Sequence, residues 1–383
     1  MMLLHISLAL GIFFILLWCS QLIFFRLHMN WTYRVIPSDW QDEDTGVSVI
    51  HPIKDLDFEL ERNLESWFRQ NYTGPVQHIF SFQDPDDPAI PVVKKVIANH
   101  PEIDCQITVN PVIPGMNGKS SNMVHGMKLA KYGIVLFGDS DARVRQDFIV
   151  KMVRPLRDER VGMTTCGQVN MGGADFWTRS FTFAQNSVTD FIWAFFTKLG
   201  VCPRANGAAF AMRKKLLQEI GGPEAFGNSL LDDMYLGRTL HRMGYRLVPG
   251  PFTECHVDRL DREKSINYAR RIGIGAKARI AVVLPALILM LFWYWILFFL
   301  GCITANPFVT YLSVVYMSLR VIHGLMMRSL TNNKIMLVDV VIPLFFDLYG
   351  TFCLLFLTGN PDVTWRGVRY TVGKGGFIES AFI

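Results

Sequence analysis

Two long stretches of this 383-residue chain carry no Asp, Glu, Lys or Arg: the twenty-five residues Met1–Phe25 and the forty residues Ile280–Leu319. A helix crossing the hydrocarbon of a bilayer needs about 20 apolar residues. The first run therefore holds one span and the second holds two, with Ala305-Asn306-Pro307 as the turn between them. A freely water-soluble globule is excluded. Met1–Phe25 lacks the early basic residue and the small-x-small site of a cleaved signal peptide, and Arg26 and Arg34 follow it, so a retained anchor is expected.

Those arginines, with the basic stretch Arg259–Arg279 ahead of the second run, place the central segment on the cytosolic side by the positive-inside rule. The net charge of +5 collects near the membrane face. A third apolar stretch, Met336–Leu357, is interrupted by Asp339, Pro343 and Asp347. Charge inside a membrane is expensive and faces protein or water. As a full span this stretch would also put the basic tail Arg366–Lys374 opposite the central segment. A broken, re-entrant or interfacial hairpin and a fourth span both stay open. The seven cysteines show no Cys-x-x-Cys spacing and read as reduced thiols.

The middle of the chain alternates short β-branched runs with helical periodicity, the pattern of strand–helix–strand units and a mainly parallel sheet. Strands are expected at Val47–Ile53, His78–Gln83, Ile107–Val112, Ile134–Phe137 and Arg246–Val248, with a further apolar run at Ala208–Met212. Helices are expected at Phe58–Gln70, Ile90–Asn99, Asn122–Lys131 and Gln146–Arg157, from Lys214, and over Leu231–Met243. The expected organisation is an anchor over 1–26, an α/β catalytic domain over 27–258, an amphipathic interfacial segment over 259–279, transmembrane or re-entrant helices over 280–358, and a cytosolic-side tail over 359–383.

Ligands of open α/β sheets gather at the carboxyl ends of strands, and aspartates cluster there: Asp84, Asp86 and Asp87 after the second strand, Asp139 and Asp141 after the fourth, and Asp232-Asp233 opening a helix. A single acidic turn is ordinarily a solvated loop or a cap. Asp139-Ser140-Asp141 directly follows an apolar strand, and two hard carboxylates so spaced suit Mg²⁺ or Mn²⁺ with a diphosphate as further ligand. Neither a P-loop nor a Gly-x-Gly-x-x-Gly turn is present, which argues against ATP-dependent phosphoryl transfer and dinucleotide redox chemistry. At Asp232-Asp233 both carboxylates can simply cap the helix, or one can face the cleft as a general base. A metal on a leaving diphosphate and a base on an acceptor hydroxyl together describe glycosyl transfer from a nucleotide-activated donor, most simply with inversion.

The strings Val47-Ser48-Val49-Ile50-His51-Pro52-Ile53-Lys54, Gln83-Asp84-Pro85-Asp86-Asp87-Pro88-Ala89-Ile90, Lys119-Ser120-Ser121-Asn122, Asp139-Ser140-Asp141-Ala142-Arg143-Val144, Met212-Arg213-Lys214, Asp232-Asp233 and Trp365-Arg366-Gly367-Val368-Arg369-Tyr370 resemble a GT-A glycosyltransferase of the family 2/21 type, in the pattern of ceramide glucosyltransferases and bacterial hopanoid-lipid relatives. The resemblance implies a Rossmann-like GT-A domain using a UDP-sugar at the cytosolic membrane face, in the inner membrane of a bacterium or the Golgi or ER of a eukaryote. It implies that Asp87 contacts the nucleotide, that Lys119 lies beside UDP, that Asp139 and Asp141 hold Mn²⁺ or Mg²⁺ and the diphosphate, and that Asp233 is the base. Asp232, Trp365 and Arg366 join the substrate contacts on the same footing. A solvated loop lysine is the plain alternative for Lys119, and Asp84 and Asp86 read as turn residues.

Where the family carries Gln/Arg-x-x-Arg-Trp, this chain has Asn267-Tyr268-Ala269-Arg270-Arg271. Arg270 or Arg271 can still meet a diphosphate, but the tryptophan is missing, and His51 stands where a basic residue is common. The aromatic stretch Phe176–Gly200 is either a core helix or an interfacial helix at a lipid opening. The function expected is transfer of a hexose, glucose first among the candidates, to ceramide or a ceramide-like membrane lipid, with no nucleic-acid partner. The alternatives are a hopanoid, polyprenyl phosphate or diacylglycerol acceptor, a polysaccharide synthase, for which the spans are few, and a non-catalytic membrane binding protein.

Overall fold

A computed structural model describes residues 2–36, 38–40, 44–112, 114–189, 205–268, 283–356 and 361–382. The charge-free N-terminal run extends into one long helix, α1 (Met2–Tyr33). It leads to the strand β1 (Val47–Pro52), whose six residues are all buried. Three strand–helix units then follow: α2 (Leu60–Phe68) into β2 (Val76–Phe82), α3 (Ala89–Ala98) into β3 (Asp104–Val109), and α4 (Gly118–Leu129) into β4 (Ile134–Gly138). β1 pairs in parallel with β2 on one side and β4 on the other, and β3 extends the sheet beyond β2. Parallel pairing returns the chain to the same edge each time, so the loops after β1, β2 and β4 share one rim.

Beyond β4 the sheet becomes mixed. β5 (Ala142–Arg143), α5 (Phe148–Val153), β6 (Val161–Met171), α6 (Phe176–Ala184), β7 (Ala209–Arg213), α7 (Lys214–Glu219), α8 (Asp232–Arg242) and β8 (Arg246–His256) complete the domain. The eight strands lie in the order β3-β2-β1-β4-β7-β6-β8-β5, with β7 antiparallel to β4 and β6, β8 parallel to β6, and β5 antiparallel to β8. Both faces are covered, which is why β4 reads as an unbroken apolar run. Leu136 packs with Val49, Trp67 and Phe148 on one face, while Val135 and Phe137 pack with Ile50, Phe210 and Leu236 on the other.

Three sequence expectations shift. The strand expected at Ile107–Val112 runs instead over Asp104–Val109, because its register is set by β2, Gln77 to Phe82 opposite Asp104 to Val109. The helix expected from Asn122 starts at Gly118, where the Asn117 side chain accepts the Lys119 and Ser120 amides. The short strand expected at Arg246–Val248 continues to His256, since it pairs along β6, a strand that the sequence reading did not place. Pro249-Gly250-Pro251 is accommodated by a register shift between Thr165 and Gly167.

The C-terminal part contains α9 (Val283–Ile303), α10 (Pro307–Leu330), a 3₁₀ turn over Leu337–Val340, and α11 (Ile342–Phe356). The turn expected at Ala305-Asn306-Pro307 is present. Ala305 has φ of 51°, Asn306 caps α10 through the amides of Phe308 and Val309, and Pro307 opens the helix. Two described helices, His5–Tyr33 and Pro307–Leu330, are long and apolar enough to cross a membrane. α1 leaves Ile12, Phe13, Leu16, Ile23 and Leu27 exposed along its length, an apolar surface that suits lipid better than water. Its other side packs Phe14 and Trp18 against Trp293, Tyr294 and Tyr316.

α10 runs past the end of the charge-free segment because its ionised residues are paired. Arg320 makes a two-pronged bond to Asp347 of α11, at 2.7 and 2.9 Å, and Tyr294 donates to the same carboxylate. Asp339 is gripped by Arg179 of α6 and by Arg328 of α10. The residues that interrupt Met336–Leu357 are thus the joints between helices. Phe176 and Trp177 of α6 meet Phe345 edge-on, with ring centroids 4.7 and 5.9 Å away, so the described part of the aromatic stretch packs on α11. Residues 190–200 of that stretch lie outside the described residues.

The tail folds as a small antiparallel sheet, β9 (Asp362–Trp365), β10 (Val368–Val372) and β11 (Ile378–Phe382). Arg366 and Gly367 form a two-residue hairpin loop with φ of 51° and 76°, the pair of left-handed residues that a type I′ turn requires. The sheet docks on the α/β domain: Ile378 donates to the Asn228 carbonyl at 2.8 Å, Leu230 donates to that of Gly376 at 3.0 Å, and Leu230 is buried with Val363, Tyr370 and Ile378.

Asp347→Ala would leave the Arg320 guanidinium buried without its carboxylate, and stability should fall by about 3–5 kcal/mol. The double replacement Arg320→Met with Asp347→Leu should lose much less, as read from melting temperatures of the purified protein in detergent.

Candidate active site

At the shared rim, local caps aim the side chains. Asn117 is fully buried; its Oδ1 accepts the Lys119 amide at 3.0 Å and its Nδ2 donates to the Ser229 carbonyl at 2.8 Å, tying the start of α4 to the loop before α8. From this first turn Lys119 Nζ reaches Asp139, 2.6 Å from Oδ1 and 2.8 Å from Oδ2, and donates to the Gly207 carbonyl at 2.9 Å. Lys119 is therefore a largely buried, ion-paired group and not a solvated loop lysine.

Asp139 sits at the end of β4, where its amide donates to the Ala208 carbonyl at 2.9 Å. The Ala142 amide donates to the Asp139 carbonyl at 3.1 Å, so Asp139-Ser140-Asp141 lies in a closed β-turn. Across the cleft, Asp232 and Asp233 occupy the first turn of α8. Asp232 Oδ1 accepts the Asp233 amide at 2.9 Å, and Asp233 Oδ1 accepts the Met234 amide at 2.7 Å. Both carboxylates satisfy helix amides with one oxygen. A methyl group on Gly207 would lie 3.5 Å from Lys119 Nζ and 3.7 Å from Asp233 Oδ2, so the glycine, Lys119 and the second oxygen of Asp233 border one small space.

The fourth wall is the C-terminal hairpin. Arg366 donates to Asp57 Oδ1 at 2.7 Å and to the Lys54 carbonyl at 3.1 Å, while Lys54 Nζ donates back to the Arg366 carbonyl at 2.9 Å. Trp365 packs instead with the small sheet's own core. Asp87 is buried, with Oδ1 accepting the Ala89 amide at 2.9 Å and Oδ2 the Asp55 amide at 3.0 Å, so it joins the loop after β1 to the start of α3. Asp84 accepts the Asp86 amide and serves the turn. Arg270 and Arg271 lie outside the described residues.

Sequence reasoning missed Asp57 and Gly207. Asp57 follows β1 on the same rim, and applying the strand-end rule to the first strand would have found it. Gly207 carries no comparable local signal. Beneath the rim, burial lowers the pKa of His51 to about 4 and that of His78 well below its usual value. Neutral His51 donates from Nδ1 to the Gly138 carbonyl at 3.2 Å, which makes its Nε2 the acceptor for His78 Nδ1 at 3.3 Å. Position 51 thus supports the Asp139 turn without supplying charge.

The sequence signature of Glycosyl transferase family 21 matches residues 11–378. Ceramide glucosyltransferase 1 of Caenorhabditis elegans is 28% identical over 358 residues, 88% of this chain and 73% of its own. The ceramide glucosyltransferase of Candida albicans is 38% identical over 115 residues, 27% of this chain and 21% of its own. Among solved structures, a mannosyltransferase from Pyrobaculum calidifontis in complex with GDP-Man and Mn²⁺ aligns with a TM-score of 0.46 at 16% identity, covering 91% of this chain and 98% of its own.

The cleft concentrates negative charge. Burial pushes the Asp141 pKa up to about 7, helped by the charges of Asp139 and Asp57. Burial likewise raises Asp232 to about 6, with Lys119 opposing and Asp233 adding to the rise. Asp139 is also raised by burial, against the pull of Lys119. Lys119 itself is held above its usual pKa, because Asp139, Asp232 and Asp233 outweigh its burial. A carboxyl whose pKa rises on folding favours the folded state at low pH, and loses that advantage as pH climbs through the folded value. Lys119→Met should therefore destabilise the protein by about 3–5 kcal/mol at pH 8, where the carboxylates are ionised and unpaired. The loss should be clearly smaller at pH 5, as read from melting temperatures at the two pH values.

Proposed function

The chain belongs to glycosyl transferase family 21, and from that premise we propose that it moves a hexose, glucose first among the candidates, from a UDP-sugar to the primary hydroxyl of ceramide or a ceramide-like lipid at the cytosolic membrane face. The observation that carries this reading is the meeting of Asp139, Lys119, Asp233 and Arg366, brought from four separate elements to one rim. The names of the ceramide glucosyltransferase relatives support the lipid.

The donor set fits a divalent cation. Asp139 and Asp141 offer hard oxygens at the end of one strand, in a buried site where Asp57 adds a further negative charge. Among the described residues no third His, Cys, Asp or Glu joins them as a metal group. Mg²⁺ and Mn²⁺ sites of this chemistry commonly use one or two carboxylates and complete the shell with phosphate oxygens and water. When bound there, the cation would neutralise charge on the diphosphate leaving group. Lys119 and Arg366 supply fixed positive charge from the chain itself, placed where negative charge grows as the sugar–phosphate bond breaks. Asp233 keeps its carboxylate oriented through the Met234 amide, and its other oxygen borders the space shared with Gly207 and Lys119, from which it would take the hydroxyl proton as the acceptor oxygen attacks the anomeric carbon and the diphosphate leaves. Arg270 or Arg271 would add to the diphosphate contacts, and Asp87 would support the nucleotide.

The membrane arrangement follows from parity. α9 and α10 form a hairpin that brings the chain back to the side it left, and the C-terminal sheet docks on the catalytic domain. α11 then begins and ends on the catalytic side. Its 15 described residues make about 22 Å of helix, against the ~30 Å hydrocarbon core. This supports a re-entrant or interfacial helix, and α6 packed upon it suits the lipid side of the cleft.

Asp233→Asn should lower kcat by about 10²–10⁴-fold while leaving UDP affinity within about threefold. Normal turnover by that variant sinks the assignment. Product analysis by mass spectrometry, after incubation with total lipid extract and a panel of UDP-sugars, should show a hexosylated ceramide-like lipid. EDTA should abolish the product and added Mn²⁺ or Mg²⁺ should restore it.

A further inference from the structure

The loop between β1 and α2 contains an aspartate that the proposed chemistry does not use. Asp57 is mostly buried, with 11% of its side chain exposed. Its Oδ2 accepts the Ser140 hydroxyl, in the middle of the Asp139-Ser140-Asp141 turn, and its Oδ1 accepts Arg366 at 2.7 Å. The Ser140 carbonyl in turn accepts Asn63 Nδ2 from α2 at 3.2 Å. One carboxylate therefore touches both the acidic turn and the tip of the C-terminal hairpin, 309 residues away.

Lys54 completes the grip. It exchanges two hydrogen bonds with Arg366, one through each residue's carbonyl. Arg366 has a left-handed backbone conformation that a residue with a side chain adopts at some cost, at the tip of a turn where Gly or Asn is usual. An arginine has five N–H donors. Asp57 and the Lys54 carbonyl engage two, which leaves three without a partner among the described residues. A third of the Arg366 side chain is exposed, and its charge acts on Asp139 and Asp141 of the acidic turn.

We infer that Lys54 and Asp57 form a socket for the hairpin tip, and that Asp57 is the positioning residue that holds the Arg366 guanidinium against the donor's diphosphate. Asp57 acts through Arg366 and touches no substrate. This rests on the donor-site reading above. The arrangement also explains why an acidic residue is tolerated beside Asp139 and Asp141: its charge is committed to a cation that the diphosphate needs.

The test is UDP binding by the full-length protein in detergent with Mn²⁺, measured calorimetrically, together with steady-state kinetics in the UDP-sugar. Asp57→Asn should weaken UDP by roughly tenfold, the loss expected when one charge-assisted bond no longer orients a guanidinium, and should raise the KM for the UDP-sugar more than it lowers kcat. Arg366→Ala should weaken UDP at least as much, and adding Asp57→Asn to it should produce no further loss. Asp57→Glu keeps the charge on a longer arm and should recover most of the affinity, which also covers the case in which Asp57→Asn folds poorly. Additive losses, or unchanged UDP affinity in Asp57→Asn, would overturn the inference while leaving the donor site in place. Wild-type protein that binds no UDP would instead remove the donor-site reading itself.

Discussion

Five carboxylates, those of Asp57, Asp139, Asp141, Asp232 and Asp233, lie around two cations, Lys119 and Arg366, in a largely buried rim. Like charges this crowded repel, and burial removes the water that would screen them. The fold holds them together by giving four of the five a partner: helix amides for Asp232 and Asp233, a lysine for Asp139, a hydroxyl and a guanidinium for Asp57. Asp141 has no such partner among the described residues, and burial, with the charges of Asp139 and Asp57, pushes its pKa up to about 7.

The membrane-side elements meet the same problem in the same way. Arg320 with Asp347, and Arg179 and Arg328 with Asp339, are charges that an apolar setting would reject singly. Paired, they join α6, α10 and α11 into one body. The eight-stranded domain is tied to α1 as well. His28 bonds to the Gly250 carbonyl at 2.8 Å, and Lys151 holds the carbonyls at the end of α1. The cleft is thus held at a set distance from the apolar surface that α1 presents.

Elements whose signal is local were legible. The apolar run at 134–137 followed by an acidic turn marked β4 and its site, and the Asp232-Asp233 helix start appeared as expected. Charge-free runs marked α1, α9 and α10. β6 was missed because Gly162, Gly167 and polar positions such as Thr164, Thr165, Gln168 and Asn170 hide its period, and it is pairing with β7 and β8 that makes it a strand. The tail offered Trp365-Arg366-Gly367 as a motif, yet nothing local said that it closes a hairpin over the first strand's loop.

Sequence alone determined that the chain is held at a membrane, that its middle is α/β with a parallel half, and which aspartates are candidates for chemistry, since composition, periodicity and motif spacing are properties of neighbouring residues. Only the tertiary structure decided that Lys119 neutralises Asp139, that Asp233 faces the same space, that Asp87 is occupied by backbone amides, and that Arg366 reaches Asp57 across 309 residues. Those contacts arise from strand register, helix caps and the docking of a separate sheet. Each joins segments far apart in the chain, and what brings them together is the packing of the whole, which no local pattern encodes.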